Sequence, residues 1–170
     1  MGWTKEQQQA IDLDNKNILV SAAAGSGKTA VLVERVVSHL LRPLGENRPE
    51  AEKPWSVDEL LVVTFTKAAA AEMSDRIGQR LQKAIAQELE NTPPNKALIS
   101  RLQRQIILLA GASISTIDSF CQSIIKNNFA DIDLDPRFRV ANENELILLQ
   151  QEILDEIFEN RYAQGYALLE

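Results

Sequence analysis

The sequence predicts an α/β domain, a parallel sheet flanked by helices, and three observations carry that prediction. Short β-branched runs at 17–22, 60–65 and 113–116 are each followed by a stretch of helical periodicity, the alternation from which parallel sheets are built. The first two runs are apolar throughout their centres rather than alternating (Ile18-Leu19-Val20, Leu60-Leu61-Val62-Val63), as strands covered on both faces are. Between the first run and its helix stands the small-residue loop Ala22-Ala23-Ala24-Gly25-Ser26-Gly27-Lys28-Thr29, the position at which strand–loop–helix folds bind phosphate.

The elements follow in order. Thr4-Lys5-Glu6-Gln7 reads as a capping box, with Thr4 as N-cap, and opens a short helix through about Ile11. From Gly27 the chain turns helical to about Leu41, with Val31, Val33, Val36 and Val37 as its apolar stripe. Residues 43–55 hold three prolines, Gly45 and several charges and read as an exposed loop. After the second strand, Ala68 to Glu90 is a long helix whose apolar positions are Ala71, Ile77, Leu81, Ile85 and Leu89.

Thr92-Pro93-Pro94-Asn95 breaks that helix. Lys96 to Leu109 forms the next one and Gly111 closes it; a further helix, Asp118 to Phe129, is capped by Thr116 or Asp118. Asp131 to Pro136 is a turn-rich boundary, and Glu143 to Ala163 is an acidic amphipathic helix.

Composition limits the function classes. The chain has 170 residues, room for one domain or one domain plus the start of another. No apolar run approaches the roughly eighteen residues of a membrane span, and Met1-Gly2-Trp3-Thr4-Lys5-Glu6 is no signal peptide, so a cytoplasmic protein is expected. One Cys121 and one His39 exclude an internal disulfide and a Cys/His zinc site. Cys121 is expected to be a small buried apolar residue, and His39 a partly exposed residue near a helix end.

The net charge of −6 looks unfavourable for nucleic acid, but it is unevenly placed. Residues 1–60 carry seven basic and nine acidic side chains, 61–130 eight and five, 131–170 three and ten. The acidity belongs to the tail, and the middle third is locally basic.

The loop before the first long helix is the strongest signal. Small residues let the backbone curl so that successive N–H groups face phosphate oxygens, and the positive end of the following helix adds attraction. Lys28 would neutralise the β and γ phosphates and the Thr29 hydroxyl would hold Mg²⁺. Ala22 stands where the stricter pattern has its first glycine, so the match is to the relaxed form. The expected ligand is ATP with Mg²⁺, held by residues 22–30: Ala22, Ala23, Ala24, Gly25, Ser26, Gly27, Lys28, Thr29 and Ala30.

Three further segments, in order, carry a family resemblance. Trp3-Thr4-Lys5-Glu6-Gln7-Gln8-Gln9-Ala10-Ile11 resembles the Q motif of UvrD/Rep-type superfamily-one helicases, in which a glutamine reads the adenine edge. An amide donates and accepts at once, which suits Gln7 to that role; capping is its other role, and the two can coexist. Val63-Thr64-Phe65-Thr66-Lys67-Ala68-Ala69-Ala70-Ala71-Glu72-Met73 resembles motif Ia, a contact with single-stranded DNA. Thr64 and Thr66 are assigned to its backbone, and Phe65 either to base contact or to the packing that shapes the groove.

Ser115-Thr116-Ile117-Asp118-Ser119-Phe120-Cys121 resembles motif Ib, with Thr116 and Ser119 as DNA contacts. Asp118, where UvrD and Rep usually carry His, and the loop through Arg35 place the resemblance nearer the AddA-type helicase-nuclease branch. Ala30 replaces the Arg that many members hold beside the base, leaving adenine clamping to other residues.

The resemblance covers roughly residues 3–129 and implies an incomplete RecA-like, P-loop NTPase motor domain; 130–170 would begin a helical insertion subdomain. It implies an ATP-dependent helicase acting on single-stranded and duplex-end DNA in break repair, partnered by an AddB-like second subunit, with no membrane. No apolar strand ending in Asp-Glu follows motif Ib, and Glu143 and Glu145 precede a helix rather than ending a strand, so the carboxylates that activate water are missing. The chain alone is expected to bind ATP weakly and hydrolyse little. The alternatives are a UvrD/Rep-like helicase without nuclease and a nucleotide-binding or interaction module with no motor action.

Overall fold

The computed structural model describes residues 2–14, 16–43, 54–135 and 137–163. They divide into two compact units, within residues 1–124 and 125–170. In order, the helices and strands are α1 (Lys5–Asp12), α2 (Lys28–Leu40), β1 (Leu61–Thr64), α3 (Lys67–Leu89), α4 (Lys96–Leu109), β2 (Ser113–Thr116), α5 (Ile117–Asn127) and α6 (Glu143–Ala163).

In the first unit β1 and β2 pair in parallel, in the register Leu61 with Ser113 through Thr64 with Thr116. A parallel pair needs a long crossover, and α3 and α4 supply it. The core lies where α2, α3 and α4 converge: Val33, Val36, Val37 and Leu40 meet Met73, Ile77, Leu81, Ala84 and Leu102. On α3 the buried stripe is Ala70, Met73, Ile77, Leu81 and Ala84. Ile77 and Leu81 were expected there; Ala71 and Leu89 are instead exposed, because Ala70 and Met73, three residues apart, continue the Ile77 face and Ala71 does not.

The chain enters β1 through a single 3₁₀ turn, Val57–Glu59. Buried Gln105 of α4 fixes that turn: its Oε1 accepts the Val57 N–H at 2.8 Å. Glu34 of α2 and Arg80 of α3 form a two-pronged ion pair, both contacts at 2.9 Å, which locks the loop-bearing helix to the helix that follows β1.

Several further expectations change. Residues 17–22 run as an irregular segment rather than a strand, and Leu19 is 96% exposed. A strand covered on both faces needs neighbours to pair with, and no described residue supplies a ladder to this one. Cys121 is exposed rather than buried, since α5 has no fully buried residue. His39 is fully buried rather than partly exposed, because the Trp55 ring stacks on it at 3.7 Å. Trp55, read as part of an exposed loop, is therefore half-buried; the stretch 44–53 of that loop lies outside the described residues.

The helix predicted for 118–129 ends at Asn127 and gives way to the 3₁₀ turn Phe129–Ile132. In the second unit α6 has the predicted bounds and no buried residue. Asn142 and Glu145 cap it reciprocally, each side chain accepting the other's N–H at 3.0 Å. Arg139 grips the same carboxylate with two contacts of 2.6 Å and holds Glu145 well down, to about 2. No helix among the described residues is long and apolar enough to cross a membrane.

Candidate nucleotide and nucleic-acid sites

The small-residue loop is curled and open. Gly25 and Gly27 adopt left-handed φ of 77° and 83°, a conformation that costs an L side chain about 1–2 kcal/mol and glycine almost nothing. Ser26 N–H closes a turn on Ala23 O at 3.3 Å. Lys28, the first residue of α2, folds its ammonium back over the loop and donates to Ala22 O at 2.7 Å and Ala23 O at 2.8 Å. Residues 21–26, Lys28 and Thr29 are all exposed, so nothing walls the cradle off from an anion. The free N–H groups of the first turn of α2 and the positive end of the helix face the same place.

Gln7 reaches this loop from α1. Its Oε1 accepts Thr4 N–H at 2.9 Å, completing the capping box, while its Nε2 donates to Ser26 O at 3.2 Å across nineteen residues. One amide thus both starts α1 and fastens it to the loop. Ala30, half-buried, follows Thr29 in the first turn of α2. Beside Lys28 lies a cleft of about 290 Å³ lined by Ala10, Ile18, Val20, Val31, Leu32 and Arg35, the apolar flank left by the unpaired segment 17–22.

The second group of predicted residues gathers at the carboxyl ends of the strands. Thr64 and Thr116 are register partners, the last residues of β1 and β2, so the two strand-to-helix turns stand side by side. Each turn is capped by a threonine. Thr66 Oγ1 accepts Ala69 N–H at 3.1 Å to start α3, and Thr116 Oγ1 accepts Ser119 N–H at 3.2 Å to start α5. Thr64 Oγ1 donates to Thr66 O at 2.9 Å, and Thr116 Oγ1 donates to Ser119 Oγ at 2.8 Å.

Two helix starts side by side present their amides to one surface. Phe65 is 97% exposed there, and Ile117, the matching residue of the neighbouring turn, is 52% exposed. Core packing is not what Phe65 does.

Sequence reasoning missed the residues that hold α1 in place. Arg35 of α2 donates to Ala10 O at 2.9 Å and Ile11 O at 3.1 Å, carbonyls at the end of α1. Its guanidinium lies 5.6 Å from the Trp55 ring centre, and Trp55 in turn stacks on His39. His39 Nε2 lies 3.3 Å from Asp14 Oδ1, and Arg42 pairs with the same carboxylate. Burial, followed by the repulsion of Arg42, pushes the imidazole down to about 4, so it is neutral near pH 7. A sequence signal did exist, since Arg35 falls two turns beyond Lys28 on a helix whose other face is apolar, but periodicity does not reveal which carbonyls an arginine meets.

The family profile of the UvrD/REP helicase N-terminal domain matches residues 3–167. The A subunit of an ATP-dependent helicase/nuclease from Clostridium novyi is 54% identical over 160 residues, 94% of this chain and 12% of the relative. The protein of that name from Lachnoclostridium phytofermentans is 48% identical over 163 residues, 96% of this chain and 11% of its own. The one from Clostridium perfringens strain 13 is 51% identical over 162 residues, 95% and 12%. The chain therefore spans about one eighth of the length of these relatives. With a matching profile over nearly its whole length, the chain belongs to the UvrD/REP helicase N-terminal domain family.

Proposed function

We propose that this chain is the ATP-gripping, DNA-contacting part of a RecA-like P-loop motor in an ATP-dependent helicase/nuclease of the AddA type. The observation that carries the reading is the exposed cradle at Ala22–Thr29, with Gly25 and Gly27 left-handed and Lys28 folded over its carbonyls. On nucleotide binding the Lys28 ammonium exchanges the oxygens of Ala22 and Ala23 for phosphate oxygens, while loop amides and the start of α2 hold the rest of the phosphate tail. Gln7 fixes the loop from behind and offers its amide to the adenine edge.

Thr29 suits Mg²⁺, since its side chain is exposed in the first turn of α2. No cluster of three His, Cys, Asp or Glu stands among the described residues, so Thr29 would hold the ion together with phosphate oxygens, and the ion would supply charge neutralisation. The paired turns at Thr64–Thr66 and Thr116–Ser119 take the sugar-phosphate backbone of single-stranded DNA, and Phe65 offers a stacking face to a base. Closing and opening of two motor lobes around ATP would then draw the strand past these turns.

For the whole protein the partners are duplex-end DNA and a second helicase-nuclease subunit, and the location is the cytoplasm, with residues 130–170 opening a helical insertion subdomain. The 170-residue chain alone has no strand ending in paired carboxylates, so it binds ATP weakly and shows no Lys28-dependent turnover. The test is ATP binding and DNA-stimulated hydrolysis by the full-length protein, wild type against Lys28→Ala. Loss of about a hundredfold or more in turnover is expected; equal activity of the two would overturn the reading.

A further inference from the structure

We infer that Arg35 is a positioning residue for ATP, acting through α1 rather than by touching the nucleotide; the inference rests on the nucleotide-binding role proposed for the loop. The argument starts from how little else holds α1. The helix has eight residues and buries one side chain, Ile11, and a helix so short has little stability of its own. Two polar tethers act on the helix itself, beside the anchoring of Asp14, two residues past its end, by His39 and Arg42. Near its start, Gln7 Nε2 bonds Ser26 O inside the phosphate loop. At its end, Arg35 Nη1 bonds Ala10 O and Ile11 O, carbonyls that the end of a helix leaves without intrahelical donors.

The second tether is built for precision. A guanidinium at the carboxyl end of a helix answers both the orphan carbonyls and the negative end of the dipole. The guanidinium carbon of Arg35 lies over the Trp55 ring, 5.6 Å from the centre, and that ring is itself stacked on buried His39 at 3.7 Å and 4° between planes. A fixed aromatic ring thus bounds one side of the Arg35 guanidinium while its Nη1 meets the two carbonyls. It sits seven residues, about 10 Å, along α2 from Lys28. Tethering α1 at this point sets where Gln7 meets the loop, and so the shape of the cradle that receives phosphate.

The test is a double-mutant cycle on the full-length protein, reading ATP KM and kcat at saturating single-stranded DNA. Arg35→Ala is expected to raise KM about tenfold and leave kcat within about twofold, because it weakens ground-state binding without removing a group that meets the reacting phosphate. Gln7→Ala, which removes the adenine contact as well as the tether, is expected to raise KM at least as much. The double variant should be no worse than Gln7→Ala alone, since Arg35 acts only through the tether that Gln7 makes. Arg35→Lys keeps the charge but not the fork or the flat face, and should raise KM by about threefold with faster amide exchange across residues 5–12.

Should Arg35→Ala fail to fold, Arg35→Lys carries the cycle. An unchanged KM in both Arg35 variants would overturn the role, as would effects of Arg35 and Gln7 that multiply. Absence of turnover in wild type, or full activity in Lys28→Ala, would instead strike down the function itself and this role with it.

Discussion

The small-residue loop and the paired strand ends are held by different means. Thr64 and Thr116 end strands that are hydrogen-bonded to each other, and each turn beyond them is closed by its own threonine. Their geometry follows from the sheet. The loop at Ala22–Thr29 follows a segment with no ladder at all, and its curl depends on two glycines, one lysine and the side chain of Gln7. The contrast teaches that the turns proposed to face DNA are set by the sheet, whereas the proposed nucleotide cradle is held by a few side-chain contacts of the kind that a phosphate would exchange. Single substitutions should therefore separate the two sites.

The largest separation should come from Gly27→Val. Its φ of 83° is closed to a β-branched residue, and strain of about 1–3 kcal/mol would uncurl the loop and cost roughly ten- to a hundredfold in ATP affinity. Affinity for single-stranded DNA without nucleotide should stay at the wild-type value; a parallel fall would show that the two sites are one unit. Phe65→Ala is the converse. At 97% exposure the ring contributes nothing to the core, so the melting temperature should not move, while loss of a stacking face lowers single-strand affinity by about tenfold. Binding isotherms at several salt concentrations check this, and an unchanged affinity would remove Phe65 from the interface.

The clamp behind the loop should respond to acid before the strand ends do. Burial and Arg42, partly offset by Asp14, depress the His39 pKa from its ordinary 6.5 to about 4. The unfolded chain thus takes up a proton in a range where the folded chain does not. Stability is complete above pH 6.5 and declines as pH falls from 6.5 toward 4, by at most about 1.4 kcal/mol per unit from this group. His39→Phe keeps a ring against Trp55 and removes the proton, so its denaturation midpoint should be flatter between pH 6.5 and 5. Equal slopes would mean that His39 titrates normally. Glu145 acts separately and lower: depressed to about 2, it supports the fold above pH 4.5 and is lost only below that.

How far the sequence could be read follows from the same contrast. Helix bounds came through within a residue or two for α2, α3 and α4, because capping residues and apolar spacing are local signals. The loop was legible for a similar reason: glycine spacing before Lys28-Thr29 is a backbone requirement written directly in residue types. Segment 17–22 was misread because its apolar run reports what a strand would need on both sides, and whether neighbours exist is not a local property. His39 and Cys121 failed likewise, since burial depends on what packs from elsewhere: Trp55, sixteen residues on, covers His39, while Cys121 on α5 stays exposed among the described residues. Arg35 escaped notice because its partners lie twenty-four and twenty-five residues away.

The finest test of the comparison is Thr116→Ala. Thr116 performs two tasks with its hydroxyl, accepting Ser119 N–H and donating to Ser119 Oγ, and a third with its backbone, ending β2 opposite Thr64. Alanine removes the first two and leaves the strand pairing, which uses backbone alone. An N-cap of this kind contributes about 1 kcal/mol, spent at the first turn of α5 rather than across the core. Amide exchange should therefore quicken at residues 117–120 and stay unchanged in β1 and β2. If β1 exchange quickened equally, the capping side chains rather than the ladder would be setting the turns, and the strand ends would be as contact-dependent as the loop.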